Sequence, residues 1–299
     1  MKSKMPPGAV IARAGKTVGA SNVPATPVTW ERAPRLLRIP SATDDKYSRG
    51  VLGMVTGSSQ YPGAALLGIT AALSTGVGMV RYLGPEDVAH LVLATRPEVV
   101  IGPGRVTALV VGSGFPDTDA DILRGRLGEL HGTNVPVVLD AGAMIHRTAF
   151  SGPAILTPHR GELQRLAEAF EAPDGSPEAV ALWLANRLDA VVVLKGNETR
   201  VVSPGGRAST LPAAPAWLAT AGTGDVLAGI MGAVLTSVVA ATPDRILSPD
   251  HLHDAAVVAG LIHQRAAAIA SHIGDAEAPL LPSELAETVR GAVAQFLSR

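Results

Sequence analysis

From residue 51 onward, short unbroken apolar runs alternate with longer helical stretches. Residues 51–56, 77–83, 98–101, 108–111, 135–139, 154–156 and 190–194 read as strands. They lack the in/out alternation of a half-solvated sheet, which predicts strands covered on both faces. Residues 61–75, 118–130, 161–170, 177–187, 226–234, 250–271 and 283–297 carry apolar positions at helical spacing. Residues 200–202 read as an edge hairpin strand. The alternation predicts an α/β three-layer αβα sandwich with a mostly parallel sheet. No repeat and no linker interrupts the chain after residue 44.

The stretch Ala219-Thr220-Ala221-Gly222-Thr223-Gly224-Asp225-Val226-Leu227-Ala228-Gly229 reads as a glycine-rich turn opening into a helix. The first amides of a helix have no internal partner and sit at the positive end of its dipole, so such an end binds phosphate. Asp225 falls in the first turn. It reads either as an N-terminal cap or as a base toward a hydroxyl aimed at the phosphate.

Small polar clusters recur where strands end: Gly57-Ser58, Gly112-Ser113-Gly114, Asp140, Thr157-Pro158-His159-Arg160-Gly161-Glu162 and Lys195-Gly196-Asn197-Glu198-Thr199. Open α/β sheets bind ligands along that edge. His159 and Glu162, three apart, share a helix face. Glu162 can hold a magnesium ion through water, or simply favour the first turn by charge while His159 caps it. Lys195 reads as a phosphate contact or as a solvated turn lysine. Asp140 reads first as a turn former. His251 and His253 read as surface residues, and His146 and His263 carry no pattern.

The chain has 299 residues, 47% hydrophobic and 3% aromatic, with no cysteine and a net charge of −1. Disulfides and thiolate metal sites are excluded. The balance of charge gives no nucleic-acid signature. No run is read as a membrane span or signal peptide, so a cytoplasmic location with no membrane partner is the expectation. Residues 1–40 hold seven Lys/Arg against one acid, Glu31. Residues 1–43 are therefore read as a basic, proline-rich, partly ordered extension to a domain over 44–299. Gly15-Lys16-Thr17 mimics a P-loop, but Val10 stands where the first glycine belongs.

Lys46-Tyr47-Ser48-Arg49-Gly50, Tyr61-Pro62-Gly63-Ala64-Ala65, Gly112-Ser113-Gly114, Asp140-Ala141, the Pro-His-x-Gly-Glu of residues 158–162, the Lys-Gly-x-x-Thr of 195–199 and the Gly-Thr-Gly-Asp stretch occur in this order. Together they resemble the ADP-dependent NAD(P)H-hydrate dehydratases of the ribokinase-like superfamily. The resemblance implies a carbon–oxygen lyase of metabolite repair. Its substrate is the S epimer of NADH or NADPH hydrated at the nicotinamide ring. ADP, or ATP in eukaryotic relatives, phosphorylates the added hydroxyl, and loss of phosphate restores NAD(P)H. It further implies Asp225 as the base, with the amides of Gly222, Thr223 and Gly224 on the phosphoryl group in flight. Ala64, Gly114, His159 and Asp225 would hold the hydrate. Lys195, Gly196, Asn197, Glu198, Thr199 and Gly224 would hold the nucleotide, and magnesium would ride on its phosphates, with Glu162 reaching it through water. The family is often tetrameric, so a homo-oligomer is expected. Forty residues cannot hold the epimerase domain of many relatives, so dehydration alone is expected. Phe115-Pro116 departs from the family's Gly-x-Gly-x-Gly loop. A vitamin-alcohol kinase of the same superfamily and a non-catalytic nucleotide-binding module are the competing readings.

Overall fold

A computed structural model describes residues 23–115, 134–242 and 246–299. The helix expected over 118–130 and the Gly15-Lys16-Thr17 segment lie outside the described residues. In chain order the elements are β1 (Thr26–Pro27), β2 (Val51–Val55), α1 (Pro62–Thr75), β3 (Met79–Tyr82), α2 (Glu86–Thr95), β4 (Val100–Ile101), β5 (Ala108–Val111), β6 (Val137–Leu139), β7 (Ala154–Leu156), α3 (Arg160–Ala169), α4 (Pro177–Leu188), β8 (Ala190–Leu194), β9 (Glu198–Val202), β10 (Ala208–Ala213), α5 (Thr223–Ala241), α6 (Pro249–Ala270), the hairpin β11 (His272–Ile273) and β12 (Ala276–Glu277), and α7 (Pro282–Leu297).

The main sheet runs β1-β10-β9-β8-β7-β6-β5-β2-β3-β4. Strands β4 through β8 in that order are parallel, and β9 is antiparallel to both β8 and β10. Within β5, Ala108 and Val110 enter one apolar core, Leu109 and Val111 the other. The two cores lie on opposite faces of the sheet, which accounts for the unbroken apolar runs. Helices α1, α5, α6 and α7 fill the first core; α3 and α4 fill the second. The expected sandwich and mostly parallel sheet are therefore what the chain forms.

Three readings are corrected. The segment 200–202 belongs to an interior strand, because β10 and β1 continue the sheet beyond it. Helix α2 had no counterpart in the sequence reading. Of the extension read over residues 1–43, the described part, 23–43, packs on the fold: β1 pairs in parallel with β10, Val23 and Ala33 are buried, and Trp30 meets Phe296 edge to face at 5.4 Å. Finally, α5 is apolar and long enough, by length and composition, to cross a membrane, yet it is a mostly buried core helix.

What seats α5 is glycine. A Cβ on Gly229 would lie 2.1 Å from the Gly68 carbonyl oxygen in α1, and one on Gly232 would lie 2.3 Å from Val110 Cγ2 in β5. The helix is wedged backbone-close against α1 on one side and the sheet on the other. Gly229→Ala is therefore expected to destabilise the fold by about 1–3 kcal/mol, the usual cost of overpacking, measured as a lower denaturation midpoint. Gly291→Ala, on exposed α7 surface with no atom near the added methyl, is the control. It is expected to stabilise by about 0.5–1 kcal/mol through helix propensity.

Candidate active site

The C-terminal ends of β2, β5, β6, β7 and β8 bring the expected polar clusters to one edge. Gly57 donates its amide to the Ser113 carbonyl at 2.7 Å, and the Ser58 hydroxyl donates to the Gly114 carbonyl at 2.7 Å. This joins β2 to β5, where the chain reverses its order of strand addition, the usual ligand position in such sheets. Gly114 sits on the first turn of α1: a Cβ there would fall 2.5 Å from Ala64 Cβ. Ala64 and Gly114 are thus neighbours.

Asp140, at the end of β6, is buried and ties the edge together. Its Oδ2 accepts from Ser113 Oγ at 2.9 Å; its Oδ1 accepts from Thr157 Oγ1 at 2.6 Å and from Lys195 Nζ at 3.1 Å. Lys195 also lies 3.5 Å from Glu162 Oε2. Burial pushes the Asp140 carboxyl up, but the Lys195 charge and the three donors outweigh it and hold the group below the ordinary carboxylate value. Burial works against the Lys195 ammonium too, and the Asp140 and Glu162 charges outweigh it in turn. The pair is ionised. Asp140 is thus no mere turn former, and Lys195 is no solvated turn lysine.

His159 and Glu162 form a capping box on α3. His159 Nδ1 accepts from the amides of Gly161 and Glu162 at 3.0 and 3.3 Å, and Glu162 Oε2 accepts from the His159 amide at 2.8 Å. A parallel bridge between His159 and Lys195 continues the β7–β8 pairing and sets the two side by side. The capping reading therefore holds, and the imidazole still faces a cavity of about 450 Å³. That cavity is also lined by Lys195, Gly196, Asn197, Thr199, Thr223 and Gly224, with apolar walls from Pro215, Leu218 and Leu227. Glu198 stands apart from it, exposed at the start of β9 and paired with Ala213.

Gly222 takes φ 98°, the left-handed geometry open to glycine, as the N-cap of α5. The Thr223 hydroxyl donates to the carbonyls of Leu218 and Thr220 at 2.8 and 2.9 Å, and its amide also turns to Thr220, at 3.3 Å. Thr223 thus locks the turn from within. The first-turn amides of Gly224 and Asp225 have no intrahelical acceptor, and Gly224 lines the cavity. Lys195 Nζ stands beside them, 3.6 Å from where a Cβ on Gly224 would lie. Asp225 is half-buried. Desolvation, then the Asp140 charge, raise its carboxyl to about 7, with Lys195 opposing.

Two histidines depart from their sequence reading. His253 is wholly buried, bridging Ser203 Oγ at 2.7 Å and Ser209 Oγ at 2.8 Å, and burial depresses it to about 4. It is a core residue, not a surface one. His263, also held to about 4 by burial, bonds the Thr223 carbonyl through Nε2 at 3.0 Å and lines the cavity with Gln264. No local pattern in the sequence marks it, because its partner Thr223 lies 40 residues away on another helix.

A half-buried carboxylate, helix amides without intrahelical acceptors and an adjacent ammonium thus stand beside a cavity of about 450 Å³. A family model described as NAD(P)H-hydrate dehydratase matches residues 52–290. The chain belongs to the NAD(P)H-hydrate dehydratase family. Among relatives, the bifunctional NAD(P)H-hydrate repair enzyme Nnr of Mycobacterium tuberculosis is 44% identical over 213 residues, covering 67% of this chain and 43% of that protein. The ADP-dependent (S)-NAD(P)H-hydrate dehydratase of Bacillus subtilis is 32% identical over 206 residues, covering 64% of this chain and 74% of that protein. The crystal structure of an ADP/ATP-dependent NAD(P)H-hydrate dehydratase from Bacillus subtilis, co-crystallised with ATP/Mg2+, superposes with a TM-score of 0.74 at 27% identity, covering 91% of this chain and 99% of that one. The chain spans about half the length of the bifunctional relatives it matches.

The donor set of this family member suits magnesium carried by a nucleotide. No cluster of three or more metal-ligating side chains occurs among the described residues. Glu162 is nonetheless a buried carboxylate whose contacts with His159 and Lys195 fall on Oε2. One carboxylate plus substrate phosphates and water is how magnesium is commonly held.

Two outcomes follow from the charges. Asp140→Asn removes the charge that raises Asp225 and leaves Lys195 less compensated. The Asp225 titration, followed by its carboxyl carbon resonance, is expected to move to lower pH. Asp225 itself binds its proton more tightly folded than unfolded. Its contribution to stability is full below about pH 4 and is lost as pH rises through about 7. Asp225→Asn is therefore expected to melt above wild type at pH 8 and level with it at pH 4.

Proposed function

We propose that this chain dehydrates the S epimer of hydrated NADH or NADPH at the expense of an adenine nucleotide. The observation that carries the reading is the Asp225 carboxylate, poised near neutrality in the first turn of α5, beside amides without intrahelical acceptors and the Lys195 ammonium. The relatives are named as dehydratases of NAD(P)H hydrate that depend on ADP or on ADP/ATP, which supports this substrate class.

In this reading the hydrate lies along Ala64, Gly114 and His159, with its ring hydroxyl toward Asp225. The nucleotide fills the cavity bounded by Lys195, Gly196, Asn197, Thr199 and Gly224. Asp225 takes the hydroxyl proton as that oxygen attacks the terminal phosphorus, and AMP leaves if the donor is ADP. The amides of Gly224 and Asp225 steady the transferring group, so the protein's contribution is position and electrostatics. The ring carbon–oxygen bond then breaks, phosphate departs, and loss of a ring proton restores the dihydronicotinamide. Magnesium, when bound, neutralises phosphate charge, and Glu162 would hold it through water.

A base near 7 gives a rate constant kcat/KM that rises with pH through that value and levels above it. Asp225→Asn is expected to lower turnover by about 10²–10⁴-fold, the usual worth of a general base, with nucleotide affinity retained. Near-normal turnover would remove Asp225 from that role. The deciding assay mixes hydrated NADH, magnesium, the protein and either ADP or ATP, and follows the near-ultraviolet dihydronicotinamide band. Recovery with ADP is the expected result. Recovery with ATP alone would keep the reaction and change the donor. A stable phosphorylated vitamin alcohol with no recovery would establish the kinase instead.

A further inference from the structure

Two sides of the cavity beside Asp225 are tied to one helix by consecutive residues. His263 and Gln264 lie on α6, both buried and both lining the cavity. Neighbouring residues of a helix point about 100° apart, so one turn of α6 reaches two walls. His263 Nε2 bonds the Thr223 carbonyl at 3.0 Å, inside the turn that opens α5. Gln264 Nε2 donates to the Pro212 carbonyl at 3.0 Å, near the end of β10. The apolar wall of Pro215, Ala216 and Leu218 follows shortly after. A carbonyl only accepts, so the ring proton sits on His263 Nε2 and the Gln264 amino group faces Pro212. Burial, with the Lys195 charge, holds His263 down to about 4, so the ring is neutral and adds no charge beside the ammonium.

Each bond meets a carbonyl with room for a further donor. The register of β10 against β9 shifts between Thr210 and Ala213, so Leu211 and Pro212 together face Thr199. Such a bulge takes a residue out of the ladder and re-aims the strand, and Gln264 meets the Pro212 carbonyl there. Thr223 is the first residue of α5. Its carbonyl has a second lone pair beyond the helical bond, and His263 takes it. Gly260, three residues before His263, lets α6 come this close: a Cβ there would fall 2.4 Å from Leu211 Cδ1. To satisfy a buried histidine, any acceptor would serve. The two acceptors met here stand at the roots of two different walls. One is the turn beside Gly224 and Lys195, where phosphate is met by amide and ammonium; the other is the apolar side, suited to a base.

With that cavity read as the nucleotide site, we propose that His263 and Gln264 are positioning residues that set its span, His263 fixing the turn at the phosphate end and Gln264 the wall at the base end. Magnesium-ADP is titrated calorimetrically into the full chain, and kcat is measured with hydrated NADH. His263→Leu is expected to lower kcat about 10–100-fold, the cost of a slight misplacement, and to change ADP affinity less than fivefold. Gln264→Met, of similar shape, is expected to weaken ADP at least fivefold and to lower kcat less than His263→Leu does. His263→Gln, which keeps a donor for the Thr223 carbonyl, should restore at least a third of the wild-type kcat. Where His263→Leu fails to fold, a folded His263→Gln below a tenth of the wild-type kcat overturns the assignment and a restored one supports it. The same loss of both quantities in both variants would mark general loosening and overturn it, as would wild-type values in both. Wild type that binds no ADP would overturn the nucleotide reading and this role together. Wild type that binds ADP without turnover would overturn the reaction alone, and the ADP affinity of Gln264→Met would then decide the role.

Discussion

The buried contact between Asp140 and Lys195 is the constraint on which the rest of the site depends. An ion pair taken out of water repays its desolvation only when the remaining donors and acceptors are met. Here they are met from several strand ends at once: Ser113 after β5, Thr157 after β7, and Glu162 at the head of α3. Glu162 is itself fixed by the capping box with His159. Removing Asp140 or Lys195 leaves the other's charge stranded in the interior, and removing Ser113 or Thr157 leaves a buried acceptor unmet. The network thus fixes the ammonium at one point, beside the first-turn amides of α5, where a phosphate would be met by dipole and charge together.

That arrangement works only if α5 comes down onto the sheet at the right depth. The approach of Gly229 to Gly68 and of Gly232 to Val110 sets that depth with backbone, not side chain. Thr223 then spends its hydroxyl on the preceding turn, and His263 holds the Thr223 carbonyl from α6. The turn that opens α5 is braced from inside the protein.

Much of this was legible in the chain. Buried strands have no alternation to blur them, and β5, β7 and β8 fall where the apolar runs are. Helix α2 escaped because its inward residues Val88, Ala89 and Val92 are interleaved with exposed Leu91 and Leu93, which erases the amphipathic signal. Strand β10 carries Pro212, which argues against a strand unless its position tolerates a missing donor. His251 and His253 do not share a helix face, and that rule was sound; it did not say which of the two turns inward. Asp140 read as a turn former because its partner Lys195 is 55 residues away. Long-range pairing leaves no local trace.

The remaining tension lies in Asp225. In the proposed reaction Asp225 must be anionic to act as base, yet it stands in the first turn of α5, half-buried and within reach of the Asp140 charge. Desolvation and that neighbour lift it to about 7; a bound nucleotide would lift it further by the same like-charge effect. Lys195 opposes this, and its ammonium is already in place. Its two buried carboxylates keep the ammonium charged against desolvation, and its lone stem delivers that charge to the mouth of α5. The acid that raises the base therefore also secures the cation that lowers it, so Asp140 bounds the titration of Asp225 from both sides.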